Sequence, residues 1–159
     1  MADLIIAITT TGTRSAYLTS TLGTLQTAIA ATYPDEAIRP DIHVLCEPGG
    51  ERPPIADSIP GLHWHTNLTR LGNFGNWYNA ATNMFRLASA GGVPYVLTLE
   101  DDIAISESAL TIALQLMRQR FAQRRIGVMS LYTSGAYQRR WFVPGDDPDS
   151  VGYSTLREA

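Results

Sequence analysis

Short apolar runs alternate along most of the chain with segments that have the periodicity of a helix. The runs at 4–8, 42–46 and 95–99 are rich in Leu, Ile and Val and are short enough to be buried strands. The segments that begin near Ser15 and Phe74 instead repeat apolar residues every three or four positions. This alternation predicts βαβ units, and therefore an α/β fold with a mostly parallel sheet.

Weaker patterns add further elements. Residues 62–65 predict a short strand, 107–121 a helix and 126–132 another strand, whereas 134–159 show no period. A chain of 159 residues is long enough to bury one substantial core. We therefore expect a single domain over 1–159, with an irregular tail from 134 to 159.

The composition of the chain limits which kinds of partner it is expected to bind. The hydrophobic fraction of 45% and the charged fraction of 17% are those of an ordinary globular protein. A net charge of -3 argues against nucleic acid as a partner, because phosphate binding favours a basic face. No run approaches the roughly 20 apolar residues of a membrane span, and no positive region precedes the first apolar run. We expect a cytoplasmic protein without a membrane span.

Three consecutive acids, Glu100, Asp101 and Asp102, directly follow the apolar run 95–99. In an extended strand Glu100 and Asp102 lie on the same side, about 7 Å apart. Two like charges at that distance repel by about 2 kcal/mol at an effective dielectric of about 20. No basic residue is close to them in sequence. The cluster therefore needs a cation, a set of hydrogen-bond donors or an open, solvated edge.

The position of these acids favours a ligand site over a structural role. Ligands of open α/β sheets bind beyond the carboxyl ends of the strands, which is where the acids fall. Carboxylate oxygens suit Mg²⁺ or Mn²⁺, and the phosphates of a substrate can complete the coordination shell. The alternative is that an aspartate here caps the following helix.

The turn after the first strand, Thr9–Arg14, is expected at the same edge of the sheet. The hydroxyls of Thr9 and Thr11 and the backbone amides could hold a base or ribose, and Arg14 could approach a phosphate. The same residues would also suit a polar loop that caps a helix. The turn has neither the Gly-x-Gly-x-x-Gly pattern of a dinucleotide site nor a Walker loop.

The second predicted helix carries asparagines. Asn76, Asn79 and Asn83 recur at spacings of three and four, roughly opposite the apolar face that includes Trp77 and Met84. Asparagine is a poor helix former, at about half a kcal/mol or more relative to Ala. A ligand contact through Asn76 and Asn83 and a solvated helix face explain the stripe equally well.

Four further residues carry candidate chemistry. His63 and His65 alternate along a strand and so point the same way, as a metal pair or as ordinary strand-edge histidines. Cys46 ends an apolar run and is expected to be a buried thiol, not a nucleophile. Asp147 lies in a region rich in proline and glycine, where it is a turn residue or a general base.

The order of these elements resembles the nucleotide-sugar half of the GT-A glycosyltransferases, over about residues 3–132. Within it, the sequence Thr-Leu-Glu-Asp-Asp-Ile at 98–103 is similar to the Glu-Asp-Asp variant of the DxD motif in inverting N-acetylglucosaminyltransferases. The resemblance implies a Rossmann-like GT-A three-layer sandwich with a mostly parallel central sheet. It also implies a metal-dependent transfer of sugar from a nucleotide-diphosphate sugar, expected to be a UDP-sugar, to a hydroxyl of a glycan or another acceptor.

The resemblance also implies roles for individual residues. Asp102 would ligate Mn²⁺ or Mg²⁺, whereas Glu100 and Asp101 would contact the ribose or sugar of the donor, with Asp101 at the catalytic centre. The Thr9–Arg14 turn and Glu47 would flank the base.

GT-A enzymes usually continue well past the length of this chain, and the further part supplies the acceptor site and the catalytic base. Either the enzyme is truncated or very compact, or residues 134–159, with Asp147 as a base, complete it together with a partner subunit in a homo-oligomer.

Two alternative functions stay open. A non-catalytic nucleotide- or sugar-binding module would bind UDP without transfer, and a nucleotidyltransferase would prefer a nucleoside triphosphate. The threonine-rich loop and the absence of lysine count against the nucleotidyltransferase.

Overall fold

The computed structural model describes residues 3–121, with the backbone alone at 120 and 121. The chain divides into two compact units, Met1–Leu110 and Thr111–Ala159. The predicted strand at 126–132 and the predicted tail, with Asp147, lie outside the described residues.

A parallel sheet of four strands forms the centre of the first unit. Its strands are β1 (Leu4–Thr10), β2 (Asp41–Cys46), β3 (Leu62–Thr66) and β4 (Tyr95–Glu100). Their order is β3-β2-β1-β4, and every neighbouring pair is parallel. The predicted α/β fold with a parallel sheet is confirmed, and each strand is one or two residues longer than its apolar run.

Two long helices flank this sheet, α1 (Ser15–Thr32) and α2 (Gly72–Gly91). The connection from β1 to β2 runs in one direction across the sheet, whereas that from β3 to β4 runs in the other. Because parallel crossovers are right-handed, the two helices cover opposite faces. The result is a Rossmann-like three-layer arrangement. Short 3₁₀ helices at Glu36–Ile38 and Pro54–Ser58 complete the connections on either side of β2.

Both faces of β1 are buried, as expected for an inner strand of a parallel sheet. On the α2 side, the buried core includes Ile5, Ala7, Leu45, Ala80, Met84 and Ala88. On the α1 side, the strand residues Ile6, Ile8 and Val44 and the helix residues Leu18, Leu22 and Leu25 are at most 1% exposed. This packing holds the carboxyl ends of β1 and β4 in a fixed relation.

The inward face of α2 includes Met84, as predicted, but it does not include Trp77. Its buried residues are Asn76, Ala80, Ala81, Met84 and Ala88. Trp77 is 41% exposed, so the prediction that it faces the core is wrong. Asn76, predicted on the opposite face, lies inside instead. It can do so because backbone carbonyls of the sheet accept hydrogen bonds from its amide.

The loops that follow β1 and β2 touch one another. Gly12 has a φ of +77°, a conformation that favours glycine, and a methyl group there would collide with the Gly50 backbone. Cys46 is fully buried beside this contact, as predicted.

A third helix, α3 (Ala109–Leu116), runs into a single π-helical turn at Met117–Phe121. Leu110, Ala113 and Leu114 are buried, in agreement with the apolar period of this segment. Within residues 3–121, every helix is too short or too polar to cross a membrane.

Candidate functional site

The three acids lie at the point where the connections of the sheet change direction. β1 is hydrogen-bonded to β2 on one side and to β4 on the other, and Thr9 is paired in register with Glu100. The carboxyl ends of β1 and β4 therefore lie side by side, and residues of both line a crevice there. Open α/β sheets bind their ligands in such a crevice.

Asp101 is buried, with 2% of its surface exposed, and both of its carboxylate oxygens and its carbonyl have partners. The hydroxyl of Thr10 donates to Oδ2 at 2.6 Å, and Nη1 of Arg14 lies 3.2 Å from Oδ1. The hydroxyl of Thr21, on α1, donates to the Asp101 carbonyl at 2.8 Å. Asp101 therefore ties the end of β4 to the end of β1 and to α1.

Arg14, which was expected at this edge as a contact for a phosphate, is the cation that pairs with the acids. Its Nη2 lies 2.6 Å from Oδ2 of Asp102, and the guanidinium also lies 5.0 Å from the centre of the Tyr17 ring. The hydrogen bond to Asp102 and then the charge of Asp101 raise the pKa of Arg14 above its ordinary value. The side chains of Arg14 and Asp102 are 35% and 36% exposed, so this ion pair stands at the solvent boundary.

Each of the three acids is stabilised differently. Asp102 receives a cation, Asp101 receives a cation and a hydroxyl donor, and Glu100 is exposed to solvent. All three requirements inferred from the sequence are thus met at one edge of the sheet. Arg14 is 88 positions away from Asp102, which is why proximity in sequence did not reveal it.

A small cavity of about 30 Å³ lies in the crevice. Six of the predicted site residues line it, Thr9, Thr11, Arg14, Asn76, Glu100 and Asp101. Thr10 and Asn73 complete its lining. It has room for only about one or two water molecules, so a nucleotide would have to lie over the edge of the sheet and not within it.

The side chain of Asn76 connects the ends of β1 and β2. Its Nδ2 donates to the carbonyls of Thr10 and Leu45, at 3.3 and 3.1 Å, and its Oδ1 accepts from Nδ2 of Asn67 at 2.9 Å. These three bonds occupy both ends of the side-chain amide. Asn76 therefore shapes the wall of the cavity by holding β1, β2 and α2 together.

Asn83 lies apart from Asn76. It is exposed, and its Nδ2 donates to Oδ1 of Asn79 at 2.9 Å. It is not among the residues that line the cavity. The asparagine stripe therefore divides into a buried end beside the crevice and a solvated end.

Glu47 is 3% exposed and serves the start of α2. Both of its carboxylate oxygens accept from the backbone N–H of Leu71, at 3.1 and 2.9 Å. A carboxylate at a helix N-terminus is also favoured by the helix dipole. The adjacent Cys46 has a raised pKa, caused first by burial and then by the charge of Glu47, so its thiol is not activated.

The carboxylate of Asp102 is a suitable ligand for a divalent metal, but it already has a partner in Arg14. Mg²⁺ often uses one or two protein carboxylates and takes its remaining ligands from water and substrate phosphates. Asp102 offers such a carboxylate at the solvent boundary. Among the described residues, however, no group of three or more potential ligands is arranged around an ion position, and Oδ2 of Asp102 is bonded to Arg14.

A second polar cluster involves His43, which the sequence analysis did not single out. His43 is 7% exposed, its Nδ1 lies 3.0 Å from Nε2 of His65, and its ring stacks on His63 at 4.7 Å. Burial first, and then the charges of His63 and His65, lower its pKa to about 4. Its Nε2 is buried without a hydrogen-bond partner among the described residues. A histidine within the apolar run of β2, in register with His63, was the signal available in the sequence.

A larger depression of about 570 Å³ borders α2 at Thr82, Phe85, Arg86, Ser89 and Ala90. It includes neither the acids nor any other predicted site residue. We therefore place the candidate site at the crevice between β1 and β4.

Comparison with protein-family models, with curated proteins and with solved structures finds no match to this chain in any of the three.

Proposed function

We propose that this chain forms the donor-binding part of a metal-dependent glycosyltransferase of the GT-A type. It would take a nucleotide-diphosphate sugar, preferably a UDP-sugar, and transfer the sugar to a hydroxyl of a glycan or another acceptor. The observation that carries the proposal is the position of Glu100, Asp101 and Asp102 at the end of β4, beside the polar turn of β1. This is the edge of an open parallel sheet at which ligands bind.

The charges at this edge support a metal and a diphosphate together. Among the described residues at this edge, Arg14 pairs with Asp101 and Asp102, and the exposed Glu100 adds a third carboxylate, which leaves an excess of negative charge. A diphosphate would be repelled by this excess unless a further cation accompanied it. A divalent cation would be attracted to it, and its hard oxygen ligands would come from both the protein and the phosphates.

Individual side chains have distinct roles in this proposal. Asp102 would hold the Mn²⁺ or Mg²⁺, whose charge offsets that which develops on the leaving diphosphate. The exposed Glu100 and the hydroxyl of Thr11 would bind the ribose or sugar of the donor. Asp101 would position Arg14 and Thr10, because it is buried and its carboxylate is already bonded to both.

The start of α1 adds support for a phosphate nearby. The Arg14 side chain has no acceptor atom with which to cap this helix, and the first turn contains no acidic residue. The backbone N–H groups there therefore lie close to the crevice without a carboxylate of their own turn. Such a helix start favours an anion.

Calorimetric titration with UDP tests the proposal on the wild type, Asp102→Asn and Asp57→Asn. Asp57 is an exposed aspartate that pairs with Arg52, so its variant makes the same chemical change elsewhere. We expect binding that requires Mn²⁺, is lost in EDTA, weakens by more than about tenfold in Asp102→Asn and is unchanged in Asp57→Asn. Equal metal-dependent affinity in Asp102→Asn and the wild type would refute the role of Asp102.

The pairing of Arg14 with both aspartates favours a second candidate, a non-catalytic module that binds a nucleoside diphosphate through Arg14 without metal. UDP binding that persists in EDTA, with no hydrolysis or transfer from UDP-sugars, would identify this module. Preference for a nucleoside triphosphate over UDP would identify a nucleotidyltransferase instead. Asp147, as a catalytic base, stays a prediction because it lies outside the described residues.

A further inference from the structure

We infer that Arg14 is an internal counter-ion that occupies the metal-binding carboxylate of Asp102 until a donor phosphate draws it away. Metal and donor would then bind cooperatively, with the release of Arg14 as the linking step. The inference rests on the proposed function, because it concerns the same edge of the sheet.

The two ion pairs of Arg14 differ in how readily each can open. Asp101 is buried and is held by the hydroxyls of Thr10 and Thr21. Asp102 is about one third exposed, and its contact is made at the solvent boundary. Water can replace the guanidinium at Asp102 far more easily than at Asp101, because a buried carboxylate without its cation is costly. The pair with Asp102 is therefore the one that opens.

Arg14 would stay at the site after this release. Asp101 still attracts its Nη1, and the face of the Tyr17 ring still lies 5.0 Å from the guanidinium carbon. The freed Nη2 would then be a donor at the edge of the crevice. A guanidinium with a free N–H edge binds phosphate oxygens well, often through two bonds at once.

A divalent ion bound at Oδ2 of Asp102 would take the atom that Nη2 of Arg14 contacts, and the two positive charges would repel each other at that distance. An ion that binds alone must therefore displace Arg14 and leave Nη2 without an anionic partner. A diphosphate that binds with the ion offers Arg14 a new partner, which lowers the cost of displacement. By thermodynamic reciprocity, the nucleotide must raise metal affinity by the same factor as the metal raises nucleotide affinity.

A purely structural role for Arg14 makes a different prediction. If Arg14 only fastened the β1 turn to the end of β4, its removal would loosen the edge and weaken every ligand. If Arg14 competes with the metal, its removal frees Asp102, so the metal alone binds more tightly while the nucleotide binds more weakly. The opposite signs of these two effects separate the alternatives.

The experiment measures free Mn²⁺ by electron paramagnetic resonance, with and without UDP, in the wild type, Arg14→Gln, Arg14→Lys and Arg39→Gln. Arg39 pairs with Glu36 beyond the opposite end of β2, so its variant controls for the lost charge. Arg14→Lys keeps a positive charge beside the buried Asp101 in case Arg14→Gln does not fold. Lysine lacks the planar fork that contacts both carboxylates, so we expect partial relief of the competition. Thermal unfolding monitored by circular dichroism verifies that each variant is folded.

We expect Arg14→Gln to bind Mn²⁺ without UDP about fivefold more tightly than the wild type, the factor that a partly exposed ion pair is worth. Arg14→Lys should lie between them, and Arg39→Gln should match the wild type. The enhancement of Mn²⁺ affinity by UDP should be smaller in both Arg14 variants. Mn²⁺ affinity that is unchanged or lower in the folded Arg14 variants, beside intact cooperativity in the wild type, would overturn the inference and leave the proposed function standing. Absence of Mn²⁺ and UDP binding in the wild type would overturn both.

Discussion

The hydroxyl of Thr10 and the carboxylate of Asp101 form a 2.6 Å hydrogen bond across 91 positions of the chain. The same hydroxyl accepts from the backbone N–H of Gly12, at 3.2 Å. This single side chain therefore orients the turn after β1 and the acid at the end of β4 together. Thr10 and Asp101 both line the crevice, so this bond helps to set its shape.

Replacement of Thr10 by Val should lower the free energy of unfolding by about 1.5–3 kcal/mol, the range for a hydrogen bond to a charged group. The variant keeps the shape of the side chain but leaves the buried carboxylate with one donor fewer. Urea denaturation measures the change. Thr11→Val is the matched control, since Thr11 bonds only weakly to Thr13, at 3.3 Å, and we expect a change below about 0.5 kcal/mol. Equal losses in the two variants would contradict this account.

Gly12 and Gly49 both have a positive φ, but only at Gly12 would an added methyl group collide with other atoms. Comparing the two separates the cost of backbone strain from the cost of the collision. Gly12→Ala should destabilise the protein by about 3 kcal/mol or more, because the new methyl group meets the Gly50 backbone as well as an unfavourable φ. Gly49→Ala adds the same methyl group at a φ of +84° with no atom within 4 Å, so it should cost about 1–2 kcal/mol. Thermal unfolding compares them. A Gly12 variant no worse than the Gly49 variant would show that the two loops can separate without penalty.

Asn76→Leu should destabilise the fold by about 2–4 kcal/mol, because it leaves two buried carbonyls and the Asn67 amide without their partner. Asn83→Leu changes the same residue type on the same helix, but at its exposed end, and should change stability by less than about 0.5 kcal/mol. Chemical denaturation of the pair tests whether only the buried asparagine is structural. Similar losses would mean that the solvated end also supports the helix.

The histidine cluster predicts a specific loss of stability in mild acid. The pKa of His43 is about 4 in the folded protein, against 6.5 for an unperturbed histidine, so the unfolded chain binds more protons between these values. Stability should therefore fall as the pH drops from about 6.5 toward 4. The lowered pKa of His65 acts in the same direction, and the carboxylate of Asp41 opposes it at His43.

Chemical denaturation at about pH 7 and pH 5 measures this loss, which we expect to be about 1–2 kcal/mol after allowance for solvent around the exposed rings. The pH range avoids most of the carboxylate titration. His43→Asn retains a polar atom near the position of Nδ1 but cannot titrate, so most of the difference between the two pH values should vanish. A loss of the same size in this variant would assign the pH dependence to other groups.

The fold was predictable because its signals are local. The strands of a parallel sheet are near-continuous apolar runs, and the runs at 4–8, 42–46 and 95–99 all became strands. Helix α1 begins at Ser15, the residue from which its period starts. Placement of the acids at the edge of the sheet followed from the strand that precedes them.

The contacts within the site were not predictable, because they join distant parts of the chain. By sequence distance, Arg86 and Arg118 are the basic residues closest to the acids, yet Arg14 makes the ion pairs. Asn76 reads as polar, and only the carbonyls of Thr10 and Leu45 explain its burial. A pattern of hydrophobicity describes which face turns inward, but not where the inside offers acceptors.

The inner position of β1 also determines when the crevice can exist during folding. β1 is the first strand to be made, yet one of its edges stays without a partner until β4 has been synthesised as far as Glu100. Pairings between such distant segments form slowly, and an open strand edge invites association with other chains. The turn that carries Arg14 therefore meets its aspartates only when β4 pairs with β1, which is the last pairing among the four described strands to become possible during synthesis. Ligand binding at this edge would report that these four strands have assembled.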